Sequence, residues 1–270
     1  MSELQLHTEI IIYFILLSTA ACVLLPFAGW VWKRNTQALP PVPQFPGSSF
    51  PNFFAYFYTA FFIITFSMGA IASAKMPADE PLNVMDYVTS IIVQIILYLP
   101  FLIVYFTLPK RDTPPVSFGL KLLWLVIALA IVGSTGGILD VSGFTDWLIK
   151  ASGCPENQDV IETLSKGSNA EKLIVAVMAV IAAPITEECC FRGFVYNILK
   201  KWSSPVLATI FSALLFSSVH ASLAQAIPLF VFGVVQCIAY EKARSLWLPI
   251  MIHFIFNAAN VAAVLLFMQA

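Results

Sequence analysis

Apolar residues run along this chain in blocks rather than stripes. Stretches with scarcely a charge recur near 9–32, 53–74, 84–107, 119–139, 172–198, 205–221, 226–240 and 246–267. Each is close to the roughly 20 residues that an α-helix needs to cross a bilayer. The pattern predicts an all-α, polytopic transmembrane bundle of about eight spanning helices. The short seventh block leaves room for a tilted or partly re-entrant helix. With 270 residues only short connections remain, so 1–270 reads as a single integral membrane domain. Composition agrees, since 59% hydrophobic residues, 11% charged residues and a mean hydropathy of +0.86 lie far from the range of soluble domains. The first block, "EIIIYFILLSTAACVLLPFAGWVW", is too long for a signal-peptide core and lacks a basic leader, so a retained helix is expected there.

Charge reports topology. Lys33, Arg34, Lys110, Arg111, Lys121, Lys200, Lys201, Lys242 and Arg244 fall in loops on one side, against Lys75, Lys150, Lys166 and Lys172 on the other. The positive-inside rule puts the first side in the cytoplasm and both termini outside. Trp30, Trp32, Trp202 and Trp247 lie near the basic loops, where an indole favours the interface. A net charge of −1 without a basic face argues against nucleic acid as a partner, and the lipid bilayer is the partner that composition implies. Cys22, Cys154, Cys189, Cys190 and Cys237 show no metal-ligand spacing, and four of them lie in apolar segments as packing residues.

The proline-rich loop Lys33–Pro51 should be extended and helix-free. Within the outer segment 140–171, "CPENQDVIETLSK" reads as a short surface helix, with a lid as the less favoured alternative. Neither an internal repeat nor a glycine-rich phosphate loop is evident, which weakens transporter and nucleotide-binding readings.

Against this background "PITEECCFRGF", 184–194, places three charges directly after the apolar run "KLIVAVMAVIAA". Ionisable residues at bilayer depth are costly and point to function. A helix turns 100° per residue, so Glu187 and Glu188 face different ways, whereas Glu188 and Arg192 share a face at i,i+4 and read as a structural ion pair. Glu187 is left without a local partner. His220 and His253 both fall in apolar blocks expected to be spanning helices, and His253 shares a face with Asn257 at i,i+4. A lone histidine in such a helix is usually a satisfied core residue; two of them beside an orphan glutamate suggest a site.

Depth is harder to reconcile. In a hairpin turning near Ser203, Glu187 and His220 come out nearly level, about 25 Å from the turn, while His253 lies only about 10 Å past Leu246. The fifth and sixth helices are expected to extend beyond the bilayer, with kinks at Pro184 and Pro205.

"EECCFR", "FSSVH" and "HFIFN" supply, in order, Glu-Glu-x-x-x-Arg, Phe-x-x-x-His and His-x-x-x-Asn motifs. The trio resembles the CPBP family of membrane proteins (Abi-like), which includes type II CAAX prenyl endopeptidases, bacteriocin-processing enzymes and proteins linked to bacteriocin self-immunity. The likeness makes 172–260 the catalytic core. It implies that Glu187 and His220 activate the hydrolytic water while His253 and Asn257 stabilise the oxyanion. The implied substrate is a CAAX-type prenylated protein or a peptide precursor at the cell membrane.

This chemistry is sensible for the residues present, because peptide hydrolysis needs a base for water and preorganised donors for developing charge. Zinc is the main alternative. The chain has no His-Glu-x-x-His pair, and His-x-x-x-Asn offers one good zinc ligand, so a metal-free, cofactor-free site is expected. Ser217 and Ser218 lie near His220 without an evident acid partner, and the acidic neighbour of Cys189 and Cys190 disfavours a thiolate. A non-proteolytic interaction or immunity protein of the same fold is the second reading, and a channel or transporter the third.

Overall fold

The computed structural model describes residues 3–36, 116–152 and 159–268, together with positions 60, 61, 63–65, 67, 68, 70, 71, 92 and 99. Helices account for every regular element among them. They are α1 (Glu3–Thr36), α2 (Phe118–Val141), α3 (Phe144–Ser152), α4 (Asp159–Lys166), α5 (Asn169–Trp202), α6 (Pro205–Ser218), α7 (Ala226–Ala243) and α8 (Trp247–Phe267). Among the described residues α2, α5, α7 and α8 are long and apolar enough to cross a membrane, with shorter apolar helices at Thr8–Leu24 and Pro205–Ser218. The chain is a multi-pass, all-α membrane protein. The blocks at 53–74 and 84–107 fall largely outside the described residues.

Local chemistry sets the helix ends. Ser168 and Glu171 form a reciprocal capping box at the start of α5, satisfying two N–H groups that no helical carbonyl reaches. Ser204 caps α6, with Pro205 at the first helical position, where its missing N–H costs nothing. α7 ends at Arg244 in the left-handed conformation. One boundary corrects the sequence reading of the proline-rich loop, because α1 continues through Lys33–Thr36. Those four residues precede the first proline of the loop, so nothing breaks the helix before it.

The main core gathers Phe191, Val195 and Leu199 of α5, Leu215 and Phe216 of α6, Phe232 of α7 and Ile252 of α8, together with Cys22 of α1 and Val132 of α2. α6 and α7 pack closely at Gly233, where a Cβ would lie 2.9 Å from the Cα of Ala213. Only a glycine allows that contact. A second, smaller apolar cluster joins Leu164 of α4 to Val175 of α5 and to Val261 and Val264 of α8. Helix α4 is thus docked on its apolar side, with Glu162 and Lys166 paired on its exposed side.

Candidate active site

α5 carries the charged motif, and it is not a uniform helix. Two π-helical turns, Met178–Ala182 and Phe191–Val195, flank the segment Ala183–Cys190 that holds both glutamates. The first has a cause in the sequence. The Ala183 N–H bonds to the Met178 carbonyl five residues back. In the same register the carbonyl of Ala179 would face the N–H of residue 184, which is proline and has none. That freed carbonyl accepts the side-chain amide of Asn257 at 2.7 Å, joining α5 to α8. At the second turn the amide of Asn197 donates to the carbonyls of Arg192 and Gly193, at 2.8 and 3.0 Å. Each interruption of the helical ladder is stitched by an asparagine.

Glu188 is fully buried, and three donors meet at its Oε1: Arg192 Nη1 at 3.0 Å, Gln236 Nε2 at 3.1 Å and His253 Nδ1 at 3.0 Å. Arg192 is equally buried, donates from Nη2 to the Gly233 carbonyl at 3.3 Å and lies over the Phe216 ring at 4.6 Å. Because the arginine and amide nitrogens only donate, Oε1 is an acceptor and Glu188 is the carboxylate of a buried ion pair. His253 therefore holds its proton on Nδ1, which leaves a lone pair on Nε2 in the neutral ring. Phe232 and Phe216 hold that ring edgewise, at 4.9 and 6.2 Å between centroids.

Glu187 points the other way. Its Oε2 stands 4.0 Å from His220 Nε2, and the two side chains keep 16% and 29% of their surface exposed. His220 is not in a spanning helix, which corrects the sequence reading. α6 stops at Ser218, His220 occupies the tight turn that follows, and Ala221 takes a left-handed φ of 54°. The turn diverts the His220 N–H to Ser217, so the Phe216 carbonyl loses its helical partner and accepts the ring Nδ1–H instead, at 2.7 Å. The ring proton is thereby held on Nδ1. Nε2 presents a lone pair to Glu187, whose Oε2 is buried without a hydrogen bond among the described residues.

The structure thus brings Glu187 to His220, and Glu188 to Arg192 and His253, while Asn257 reaches the site through Ala179. Ser217 and Ser218 donate their hydroxyls to the carbonyls of Ala226 and Leu215. Cys22, Cys189, Cys190 and Cys237 are buried and free. Among the described residues no three His, Cys, Asp or Glu side chains gather in a metal-binding group. Sequence reasoning missed Gln236 and Asn197. The available signal was a lone amide in each apolar run, as in "FVFGVVQCIAY".

Residues 169–259 match the family described as "Type II CAAX prenyl endopeptidase Rce1-like". The "Putative membrane peptidase YdiL" of Bacillus subtilis (strain 168) is 25% identical over 186 residues, covering 67% of this chain and 73% of that protein. The "Uncharacterized 24.3 kDa protein" of Escherichia coli is 27% identical over 136 residues, covering 48% of this chain and 58% of that protein. No solved structure matches the chain. Residues 169–259, which hold Glu187, Glu188, Arg192, His220, Gln236, His253 and Asn257, thus resemble an Rce1-like type II CAAX prenyl endopeptidase, and the chain is a membrane protease.

Proposed function

We propose that the chain is an intramembrane endopeptidase in which Glu187 and His220 activate water and His253 and Asn257 steady the oxyanion, acting on a CAAX-type prenylated protein or a membrane-associated peptide precursor. The observation that carries this reading is the 4.0 Å gap between Glu187 Oε2 and His220 Nε2. It is too wide for a direct hydrogen bond. A water about 2.8 Å from each acceptor bridges it, with one O–H aimed at the carboxylate and one at the imidazole. Either acceptor then takes a proton as the water oxygen attacks the carbonyl carbon. The His220 Nδ1–H bond to Phe216 supports the role, since it keeps the basic nitrogen on the water side.

Backbone geometry supports a wet site. α6 has 14 residues, a length of about 21 Å, which is short of a hydrocarbon core of about 30 Å. The non-helical stretch 219–225 then falls at bilayer depth, where irregular backbone is tolerated in protein or beside water.

On the oxyanion side, His253 donates from Nε2 only as the imidazolium, because Glu188 holds the Nδ1 proton. The Nδ1–H bond to Glu188 orients the ring so that Nε2 can face the oxyanion. One N–H of Asn257 is held by Ala179, which leaves the second for the same oxygen. The reading is metal-free, in keeping with a chain that has no His-Glu-x-x-His pair. It places the N-terminus outside, in the cell membrane.

The test is to incubate the purified full chain in nanodiscs with a farnesylated CAAX peptide and its unprenylated counterpart, with mass spectrometry of the products. Cleavage three residues from the C-terminus of the prenylated peptide alone supports the CAAX reading. Cleavage of neither peptide under any condition, chelator or zinc included, overturns it.

A further inference from the structure

Gln236 is a polar residue that this chemistry leaves without a task. It lies fully buried in α7, and its amide nitrogen serves two acceptors at once: Glu188 Oε1 at 3.1 Å and the Pro249 carbonyl at 2.9 Å. Neither acceptor donates, so the orientation of the amide is fixed. Its own Oε1 is left buried without a hydrogen bond among the described residues. An aliphatic side chain would avoid that orphan, so stability alone does not explain the amide.

Pro249 stands four residues before His253 in α8, and in a helix its carbonyl also receives the N–H of residue 253. The same amide therefore grips the carboxylate that holds the His253 ring and the helical turn that carries it. We infer that Gln236 is a positioning residue, which sets the spacing between Glu188 and the α8 turn and so keeps the His253 ring in one orientation with its proton on Nδ1. The inference rests on the reading of His253 as part of the catalytic site. Three charged or titratable groups face the amide: Glu188 and Arg192 from α5 and His253 from α8.

Two variants of the full chain separate positioning from packing. Gln236→Met keeps a similar volume and removes both hydrogen bonds. Gln236→Glu keeps the shape, and while protonated it supplies one donor for the two acceptors. With the farnesylated CAAX peptide as probe, Gln236→Met should lower kcat by roughly tenfold or more with KM unchanged, since the group it aims acts in the transition state. Its melting temperature should stay close to that of the parent. Gln236→Glu should fall between the two at low pH and lose further activity as pH rises, because an ionised carboxylate repels Glu188.

A second readout needs no turnover. In ¹⁵N-histidine spectra, the His253 Nδ1 proton should be one slowly exchanging signal in the parent and should exchange at least about tenfold faster in Gln236→Met. If the parent leaves the peptide intact, the protease reading fails and the His253 signal alone decides the inference. An unchanged signal overturns it. Parental kcat in Gln236→Met, or a loss of kcat that only tracks a loss of folded protein, also overturns it. Should the Met variant fail to fold, a flat pH profile relative to the parent in Gln236→Glu does the same.

Discussion

On one side of α5, Glu188 is wholly enclosed and its Oε1 takes donors from Arg192, Gln236 and His253 on three helices. On the other side, Glu187 is partly open and faces His220 across 4.0 Å. The two carboxylates are adjacent in the chain. The carboxylate that takes three donors on one oxygen serves as a fixed charge that orients other groups. The carboxylate that keeps part of its surface open can meet water. The difference between them comes from environment, and a single residue step along the helix creates it.

Removing each carboxylate in turn is the sharpest way to break this comparison. Glu187→Ala should cut turnover by about 10²–10⁴-fold, the range for loss of a positioned base, while the thermal melt of the purified protein barely moves. Glu188→Ala should lose both, because it strands Arg192 in the core; broken buried pairs cost about 3–5 kcal/mol. Circular dichroism melts beside single-turnover assays read both quantities. Equal destabilisation in the two variants would dissolve the division of roles.

Asn257 tests whether the oxyanion side is separate from the basic side. Asn257→Ala should lower kcat on the order of a hundredfold with KM little altered, as for loss of one oxyanion donor. Asn257→Asp should be at least as damaging, since it puts negative charge where negative charge develops. A raised KM with unaltered kcat would instead make Asn257 a binding or packing residue.

The smallest effect is expected at Pro184. Pro184→Ala restores an N–H that competes with Asn257 for the Ala179 carbonyl. Turnover should fall by up to about tenfold, less than the hundredfold that a full ångström of misplacement costs. The melting temperature should rise as the helical ladder regularises. A crystal structure of this variant with the π turn intact would separate Pro184 from the turn it is held to cause.

Much of this was legible in the sequence, for reasons that particular residues make plain. The apolar blocks that became α2, α5, α7 and α8 declare themselves by length, and the i,i+4 spacing of Glu188 and Arg192 needs no tertiary knowledge. The end of α6 does not declare itself. It depends on a left-handed Ala221, where glycine or asparagine would have signalled the stop and alanine does not. Pro184 was legible as a kink but not as the source of a freed carbonyl, because the register change it accompanies belongs to the whole turn. Gln236 was invisible for a different reason. Its partners lie 48 and 13 residues away, on other helices, and no periodicity within α7 marks it.

The brevity of α6 carries a consequence for the membrane itself. A helix of about 21 Å beside α5, whose 34 residues reach about 51 Å, gives the two neighbours very different hydrophobic lengths. Lipids beside α6 must compress, or water must fill the difference, and the strain grows with acyl-chain length. Under the proposed role of His220, bilayer thickness then acts on its hydration, which long-chain lipids oppose and short-chain lipids favour.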